Sequence, residues 1–419
     1  LKERNMAVLT MLQVNGDRLN AHIDRLARIG RLPNGEICRL AFTAEDLQAR
    51  YLVQQWMVEA GMTVRIDAAG NLIGRYAGRS SRAAAIATGS HIDTVPSGGR
   101  YDGVLGVLAG IEAVRVLHEN EVQLHHPIDV IVFTDEESSM IGCQAIAGTV
   151  LTATPERYLP KIGGDIQTHL ETIGGSWDEI STAQQSAANI AAFIELHVEQ
   201  GAVLERTGYQ IGVVEGVVGM HRVAITIQGQ ENHAGTTPMT MRQDALVAAA
   251  QVVLAVQDIA LSMPGEPVAT VGSLNVTPNA VNIIPGQVEL TVDMRDLSKF
   301  TLDAMNDRLT ARLQDIAATT HTEISMKPLL WVEPTLAATP IQQAIEQVCQ
   351  QQRLSYTYLP SRAGHDAMEM GRFTDMGMIF VPSQNGLSHS GQEYTSPEQC
   401  TQGATVLLHT ILQLDRVYS

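Results

Sequence analysis

Four short segments of the chain carry side chains of the types that ligate divalent metal ions. In the first, residues 89–103, His91 and Asp93 alternate with Ile92, and Asp102 follows on a glycine-flanked loop. Imidazole nitrogen and carboxylate oxygen are good ligands for zinc, manganese or cobalt. On extended backbone His91 and Asp93 point to the same side, so Asp93 is expected to accept the second ring proton of His91. A simple polar turn is the alternative for this segment.

The second segment is the adjacent pair Glu136 and Glu137, directly after a predicted strand. Two neighbouring carboxylates repel each other unless a cation or a shared proton compensates. A metal ion on one carboxylate and a water molecule held by the other would remove this repulsion. The alternative is a solvated pair on the protein surface.

The third and fourth segments add two histidines. Residues 193–201 alternate strictly, which puts Glu195, His197 and Glu199 on one face of a strand. A lone histidine on such a face is usually structural. His389 lies in a late loop after a predicted buried strand, where it can present a ligand. No segment is decisive by itself.

The pattern of apolar residues predicts the elements that position these groups. Short apolar runs alternate with segments of helical periodicity. The resulting order of strand, loop, helix and strand is typical of a parallel α/β sheet. In such sheets functional groups gather beyond the carboxyl ends of the strands. The predicted elements are a helix over 5–28, a helix over 44–59, a hairpin of 63–67 and 71–76, an apolar run over 84–88, a helix over 104–117 and a strand over 128–133.

The pattern of predicted helices and strands changes near residue 213, and buried helix and strand patterns return after Trp331. Between these points the predicted order is β-α-β-β-α-β, which indicates a small two-layer α+β domain with an antiparallel sheet. We therefore expect a discontinuous catalytic domain, residues 1–212 and 331–419, and an inserted domain, residues 213–330.

Length and composition restrict the class of protein. The chain is 45% hydrophobic and 17% charged, which is typical of a globular protein with a large core. Its length of 419 residues predicts two domains. The net charge of -17 disfavours nucleic acid and anionic membranes as partners. Four cysteines without CxxC spacing argue against a thiolate zinc site and favour a reducing cytoplasm. Without an apolar N-terminal segment or a long uncharged apolar run, neither secretion nor membrane spanning is expected.

Taken together, the segments resemble the dinuclear metal amidohydrolases related to aminoacylase and carboxypeptidase G. More narrowly, they resemble the branch that contains N-carbamoyl-L-amino acid hydrolase, allantoate amidohydrolase and β-alanine synthase. The resemblance extends from about Arg28 to Leu414. It is carried by the ordered blocks GSHIDTV, GGRYDG, FTDEESS, ELHVEQG, ENHAGTTPM, PNAVNIIPG, RAGHDA and FVPSQNGLSHS.

The resemblance implies a metallopeptidase-like α/β catalytic domain, with a mixed sheet flanked by helices, and a pair of divalent ions drawn from zinc, manganese, cobalt or nickel. By the same resemblance His91 and His197 would bind one ion, Glu137 and His389 the other, and Asp102 would bridge them. Glu136 would be the general base. Peptidase relatives have an acid where this chain has His197, which favours the amidohydrolase branch.

The inserted domain resembles the lid and dimerisation domain of that branch. The resemblance implies a homodimer in which His233 reaches the neighbouring subunit's site and stabilises an oxyanion. Arg222, Asn282 and Arg295 match substrate-contacting positions, and an arginine suits a substrate carboxylate. The alternative for Arg295 is a surface ion pair with a neighbouring aspartate. Gln200 and the backbone at Gly364 would hold the ureido group.

One departure concerns the segment after Ser139. Relatives carry an Arg-Phe pair and a longer loop there, whereas Met140 follows directly in this chain. We expect hydrolysis of the carbamoyl amide of a small anionic substrate, an N-carbamoyl-L-amino acid, with release of ammonia and carbon dioxide. Allantoate is the second candidate substrate. An aminoacylase or peptidase, and a metal-binding protein without catalysis, are the remaining alternatives.

Overall fold

The computed structural model describes residues 12–419 and divides the chain into two compact units. The first unit combines the chain up to Gly216 with Leu336–Ser419, and the second is Val217–Thr335. Of the helix predicted for residues 5–28, residues 5–11 lie outside the described range. Within the rest, helix α1 spans Gly16–Leu26, and the side chain of Asn15 directly before it accepts the Arg18 N–H.

The N-terminal part of the first unit alternates helices and strands, as the apolar pattern predicts. Its elements are α1, α2 (Ala44–Glu59), β1 (Thr63–Ile66), β2 (Leu72–Tyr76), β3 (Ala85–His91), α3 (Val104–Glu119), β4 (Ile128–Phe133), α4 (Ile141–Ala147), α5 (Ile166–Thr172), β5 (Ile190–Val198), α6 (Val203–Thr207) and β6 (Ile211–Val217).

The second unit has the predicted β-α-β-β-α-β order, with two very short strands added. Its elements are β7 (Gly219–Gln228), β8 (Asn232–His233), α7 (Ala245–Ser262), β9 (Val268–Thr277), β10 (Ile283–Ile284), β11 (Gln287–Asp296), α8 (Lys299–Thr320) and β12 (Glu323–Val332). The chain then continues through β13 (Thr335–Leu336), α9 (Thr339–Gln352), β14 (Tyr356–Ser361), α10 (Asp366–Met370), β15 (Asp375–Val381) and α11 (Pro397–Val417).

The large sheet is mixed, with strand order β1-β2-β4-β3-β5-β15-β6-β13 and β14 paired to β6. Its central strands β4, β3, β5 and β15 run parallel, whereas β1, β2 and β6 join antiparallel. Almost every residue of the parallel strands is buried, because helices cover both faces of such sheets. The mixed α/β architecture predicted from the sequence is confirmed.

The second unit has a four-stranded antiparallel sheet, β12-β7-β11-β9, and a separate β8–β10 pair. Alternate residues of β7 and β11 are buried against α7 and α8, which gives the unit its own core. Within residues 12–419, α7 is the one helix with the length and apolar composition to cross a membrane. Its Ala248, Val252 and Val256 lie in that core, which is typical of a buried helix of a globular unit.

Candidate metal centre

The predicted metal-binding groups meet at the carboxyl ends of neighbouring parallel strands. His91 is the last residue of β3, Glu136 and Glu137 follow β4, and His197 lies near the end of β5. Because parallel strands end at the same edge of a sheet, their terminal side chains converge there. Asp102 lies just before α3, and the loop after β15 adds His389.

Three of these side chains form a buried group. The Nε2 atom of His197 lies 3.1 Å from Oδ1 of Asp102, and Nε2 of His91 lies 3.6 Å from the same oxygen. All three side chains are less than about 10% exposed. One ligand atom from each lies within 4.8 Å of the others, which is the spacing of a candidate metal site.

A second group uses the other carboxylate oxygen of Asp102. Nε2 of His389 lies 3.4 Å from Oδ2 of Asp102 and 3.4 Å from Oε2 of Glu137. The ligand atoms of this group also lie within 4.8 Å of one another. The two oxygens of Asp102 are therefore divided between two groups, as a carboxylate that bridges two ions requires.

The hydrogen bonds of His91 and His197 orient their rings so that Nε2 can act as a ligand for a divalent cation. Nδ1 of His91 lies 3.0 Å from the Asp93 carbonyl, and Nδ1 of His197 lies 2.9 Å from the Val198 carbonyl. A carbonyl only accepts, so both Nδ1 atoms carry a proton. In the neutral rings Nε2 is then the ligand atom, and it lies towards Asp102 in both histidines, with Nε2 of His197 also accepting the Gly103 N–H at 3.1 Å. Lone pairs that converge on a carboxylate match the coordination of zinc or a related ion.

Burial also favours a cation at this place. It raises the pKa of Glu137, a member of the second group, to about 7. Carboxyl groups packed this closely repel when ionised, and divalent cations relieve that repulsion.

Glu136 lies beside the first ligand group but belongs to neither of the two groups. Its Oε2 atom is 3.5 Å from Nε2 of His91, and burial raises its pKa well above the usual range. The carboxyl group lines the same cavity as the metal-binding residues. Divalent ions bound nearby would lower this pKa again, so the position suits a proton acceptor for a water molecule held at the centre.

Two expectations that relied on strand alternation differ from the structure. The carboxylate of Asp93 lies 3.7 Å from Nδ1 of His91, whose partner is instead the Asp93 main-chain carbonyl. The carboxylate of Asp93 accepts the Glu137 N–H at 3.2 Å. Glu199 points away from the centre and accepts the N–H groups of Val203 and Leu204 at the start of α6. In both cases the strand ends before the acid, so the alternation of side chains between the two faces no longer applies there.

A cavity of about 210 Å³ opens beside the two groups. Gln200 lines it and donates from Nε2 to Oδ2 of Asp102 at 2.9 Å, while Oε1 has no protein partner. Gly364 faces open space, so a ligand can approach its backbone closely. Ser138 and Met140, on either side of Ser139, lie in the wall of this cavity.

The sequence did not indicate Glu393, which holds the Asp102 loop. This buried carboxylate accepts the N–H groups of Tyr101 at 2.7 Å and Asp102 at 3.1 Å. A Cβ atom on Gly99 would lie 2.3 Å from Cδ of Glu393, so only glycine fits there. The glycines before Asp102 signal a close approach, but they do not identify its partner. Ser388, also missed, donates to Oδ2 of Asp102 at 2.9 Å.

The predicted carboxylate-binding arginines belong to the second unit. Arg222 on β7 and Arg295 on β11 both donate to the carboxylate of Asp293, each at 2.7 Å. These bonds hold the pKa of Asp293 below its usual range although burial opposes them. The ion pair named as the alternative for Arg295 is therefore present, and it places two guanidinium groups side by side.

His233, on β8, and Asn282, directly before β10, are both exposed in the second unit. His233 is opposite Ile283, and the Ala234 N–H donates to the Asn282 carbonyl at 3.0 Å. Val281, next to Asn282, is fully exposed. We call residues 232–237 and 278–283 the His233 tip.

Comparison with known proteins agrees with this architecture. The sequence model of peptidase family M20/M25/M40 matches residues 87–413. An N-carbamoyl-L-amino acid amidohydrolase of Geobacillus stearothermophilus is 40% identical, over 96% of this chain and 99% of that protein. An allantoate amidohydrolase of Bacillus subtilis is 32% identical, over 94% and 96%.

A solved structure gives the same result for the fold. The amidase of the hydantoinase/carbamoylase family from Burkholderia multivorans is 37% identical, with a TM-score of 0.90, over 96% of this chain and 98% of that one. The predicted resemblance and the hydrolase class are thus confirmed. The chain belongs to peptidase family M20/M25/M40, in the branch that includes the N-carbamoyl-L-amino acid and allantoate amidohydrolases.

Proposed function

We propose that the protein hydrolyses the carbamoyl amide of N-carbamoyl-L-amino acids and releases the amino acid, ammonia and carbon dioxide. The observation that carries the chemistry is the division of the Asp102 oxygens between two ligand groups. The 40% identical N-carbamoyl-L-amino acid amidohydrolase, aligned over nearly its whole length, supports the substrate class. Allantoate is the second candidate because its hydrolase is also a full-length relative.

His91 and His197 would hold one divalent ion, Glu137 and His389 the other, and Asp102 both. When bound, such a pair of ions supplies Lewis acidity that polarises a carbonyl and makes a water molecule more acidic. Zinc, manganese, cobalt and nickel all suit mixed histidine and carboxylate ligands. The Nε2 atoms of His91 and His197 both lie towards Asp102, which supports this assignment.

Glu136 is the residue that moves the proton. Its carboxylate takes a proton from the attacking water and delivers it to the leaving nitrogen as the C–N bond breaks. The buried position beside His91 keeps this carboxyl group within reach of the cavity and away from bulk water. Gln200 and the Gly364 backbone, which line the cavity, would orient the ureido group.

The carboxylate of the substrate would be bound by Arg222, Asn282 and Arg295. Arg222 and Arg295 share the carboxylate of Asp293, which brings two guanidinium groups together on an otherwise acidic protein. Arginine binds carboxylates with paired N–H groups, which suits a small anionic substrate.

The first test is ammonia release by protein reconstituted with manganese or zinc. The panel should contain N-carbamoyl-L-amino acids, allantoate and N-acetyl amino acids. We expect the highest kcat/KM within the carbamoyl series. Preference for allantoate would transfer the same chemistry to the second candidate, and absence of turnover on every compound would contradict the proposal.

We further propose a homodimer in which His233 completes the neighbouring subunit's site. An apolar stripe on α7 supports a protein partner for the second unit: Val247, Leu254 and Leu261 are seven residues apart, and each is about half or more exposed. A two-fold dimer uses the same surface on both subunits, and the proposal requires that this arrangement present each exposed His233 tip to the other subunit. Four unpaired cysteines support our proposal of a reducing, cytoplasmic location.

Subunit mixing tests this proposal directly. Glu136→Gln and His233→Ala chains are each expected to be nearly inactive. A mixed dimer has one site with an intact Glu136 and the partner's intact histidine, so random exchange should restore about a quarter of wild-type activity. A mixture that exchanges subunits and stays inactive would contradict the shared site.

A further inference from the structure

The loop that carries His233 uses one ring nitrogen as an acceptor. The backbone N–H groups of Gly235 and Thr236 both donate to Nδ1 of His233, at 3.0 and 3.2 Å. A backbone N–H can only donate, so Nδ1 must offer its lone pair. The ring proton therefore lies on Nε2, on the side of the ring away from the loop.

Arg242 holds this turn closed from outside. Its Nη2 atom donates to the Ala234 carbonyl at 2.6 Å, and its Nε atom donates to the Thr237 carbonyl at 3.1 Å. One guanidinium group thus spans the turn that contains both donors to Nδ1. Its planar geometry allows two bonds in fixed directions, which an ammonium group does not provide.

Two further contacts limit the movement of the turn. The Thr237 hydroxyl donates to the His233 carbonyl at 2.8 Å. A Cβ atom on Gly235 would lie 3.3 Å from Cε1 of the His233 ring, so the turn packs closely against the imidazole. The turn therefore restricts both the orientation of the ring and the choice of its protonated nitrogen.

We propose that Arg242 is a positioning residue that, through this turn, fixes His233 as the Nε2–H tautomer. In that form His233 donates a hydrogen bond to the oxyanion and does not transfer a proton during turnover. This catalytic consequence rests on the proposed function, whereas the tautomer itself depends only on the loop. The donor is aligned before substrate binds, which is the condition for effective oxyanion stabilisation.

Nitrogen NMR of protein labelled with ¹⁵N-histidine tests the tautomer without turnover. The His233→Asn variant assigns the signals. We expect a bare Nδ1 and a protonated Nε2 in the wild-type protein, and averaging between the two tautomers in Arg242→Met. Arg312→Met, which removes an exposed arginine on α8, is the matched control and should leave the signals unchanged. A protonated Nδ1 in the wild-type protein, or an unchanged spectrum in Arg242→Met, would overturn the proposal.

Kinetics test the consequence for catalysis. Arg242→Met should lower kcat by up to about 10²-fold with little change in KM, because a small misplacement of a catalytic group has this effect. Arg242→Lys can still reach one carbonyl, so its kcat should lie between those of the wild-type protein and Arg242→Met. His233→Gln, whose side-chain amide can place an N–H near the Nε2 position, should retain more activity than His233→Asn.

Equal losses in the Gln and Asn variants would exclude the donor role and favour proton transfer. If the wild-type protein hydrolyses no ureido compound, the proposed function fails, but the NMR result still decides whether Arg242 sets the tautomer. The two failures are therefore distinguishable.

Discussion

The candidate metal centre and the His233 tip are held in place by opposite means. At the metal centre, His91 and His197 are almost completely buried, and each is oriented by a main-chain carbonyl next to it. At the tip, His233 is exposed and is oriented by its own turn and by Arg242. One region obtains its order from a packed sheet, and the other from local hydrogen bonds.

This difference indicates how the work of the site is divided. Charged ligands that hold ions must be rigid and shielded from water, and the carboxyl ends of buried parallel strands provide both. A group that reaches into a partner's site, as we propose for His233, must be exposed in the free chain, so its geometry has to be set locally. Substitutions in the two regions should therefore affect different measurements.

The largest effect is expected at the metal centre. Glu136→Gln should lower kcat by roughly 10² to 10⁴-fold, because the amide cannot accept the proton of the attacking water. Metal content, measured by elemental analysis after dialysis, should stay at the wild-type level because Glu136 is not among the ligand atoms of either group. Glu137→Gln is the comparison, since it should lose metal as well as activity.

Near-wild-type turnover in Glu136→Gln would remove the assigned role of this residue. Loss of metal in Glu136→Gln would instead make it a ligand. Either result would erase the distinction between the two adjacent glutamates.

A second prediction concerns how the first unit positions Asp102. Glu393→Ala removes the acceptor of the Tyr101 and Asp102 N–H groups, so metal affinity should fall about 10- to 100-fold, as for other residues that orient a ligand. Glu393→Gln keeps a carbonyl oxygen at that place and should lose less. Competition with a chromophoric chelator measures both variants. Equal affinities in all three proteins would show that Asp102 needs no such support.

The sequence predicted the residues that the structure brings together at the candidate metal centre, but not the residues that support them. His91 and Glu137 were predictable because each follows a buried run, and the end of a parallel strand is a local feature. Glu393 was not predictable because it contacts Tyr101 across 292 positions of the chain. Such a contact depends on the completed fold, and an acid in a polar loop carries no local signal for it.

The errors at Asp93 and Glu199 have one physical origin. Alternation of side chains holds only while the backbone remains extended. Strand β3 ends at His91 and β5 ends at Val198, and Gln200 already has a positive φ of 58°. Each strand ends before the acid in question, so the predicted common face does not extend that far.

The last prediction compares the Arg295–Asp293 ion pair, at the proposed carboxylate-binding residues, with an ion pair in the first unit. Arg295→Ala should raise KM for ureido carboxylates by about tenfold or more, because a charged hydrogen bond to substrate is lost. The free energy of unfolding should change by less than about 1 kcal/mol, since the pair with Asp293 is partly exposed. Arg75→Ala, which removes a similar pair with Asp129 in the first unit, should leave KM unchanged. If Arg295→Ala lowers stability and leaves KM unchanged, Arg295 serves the fold of the second unit and not the substrate.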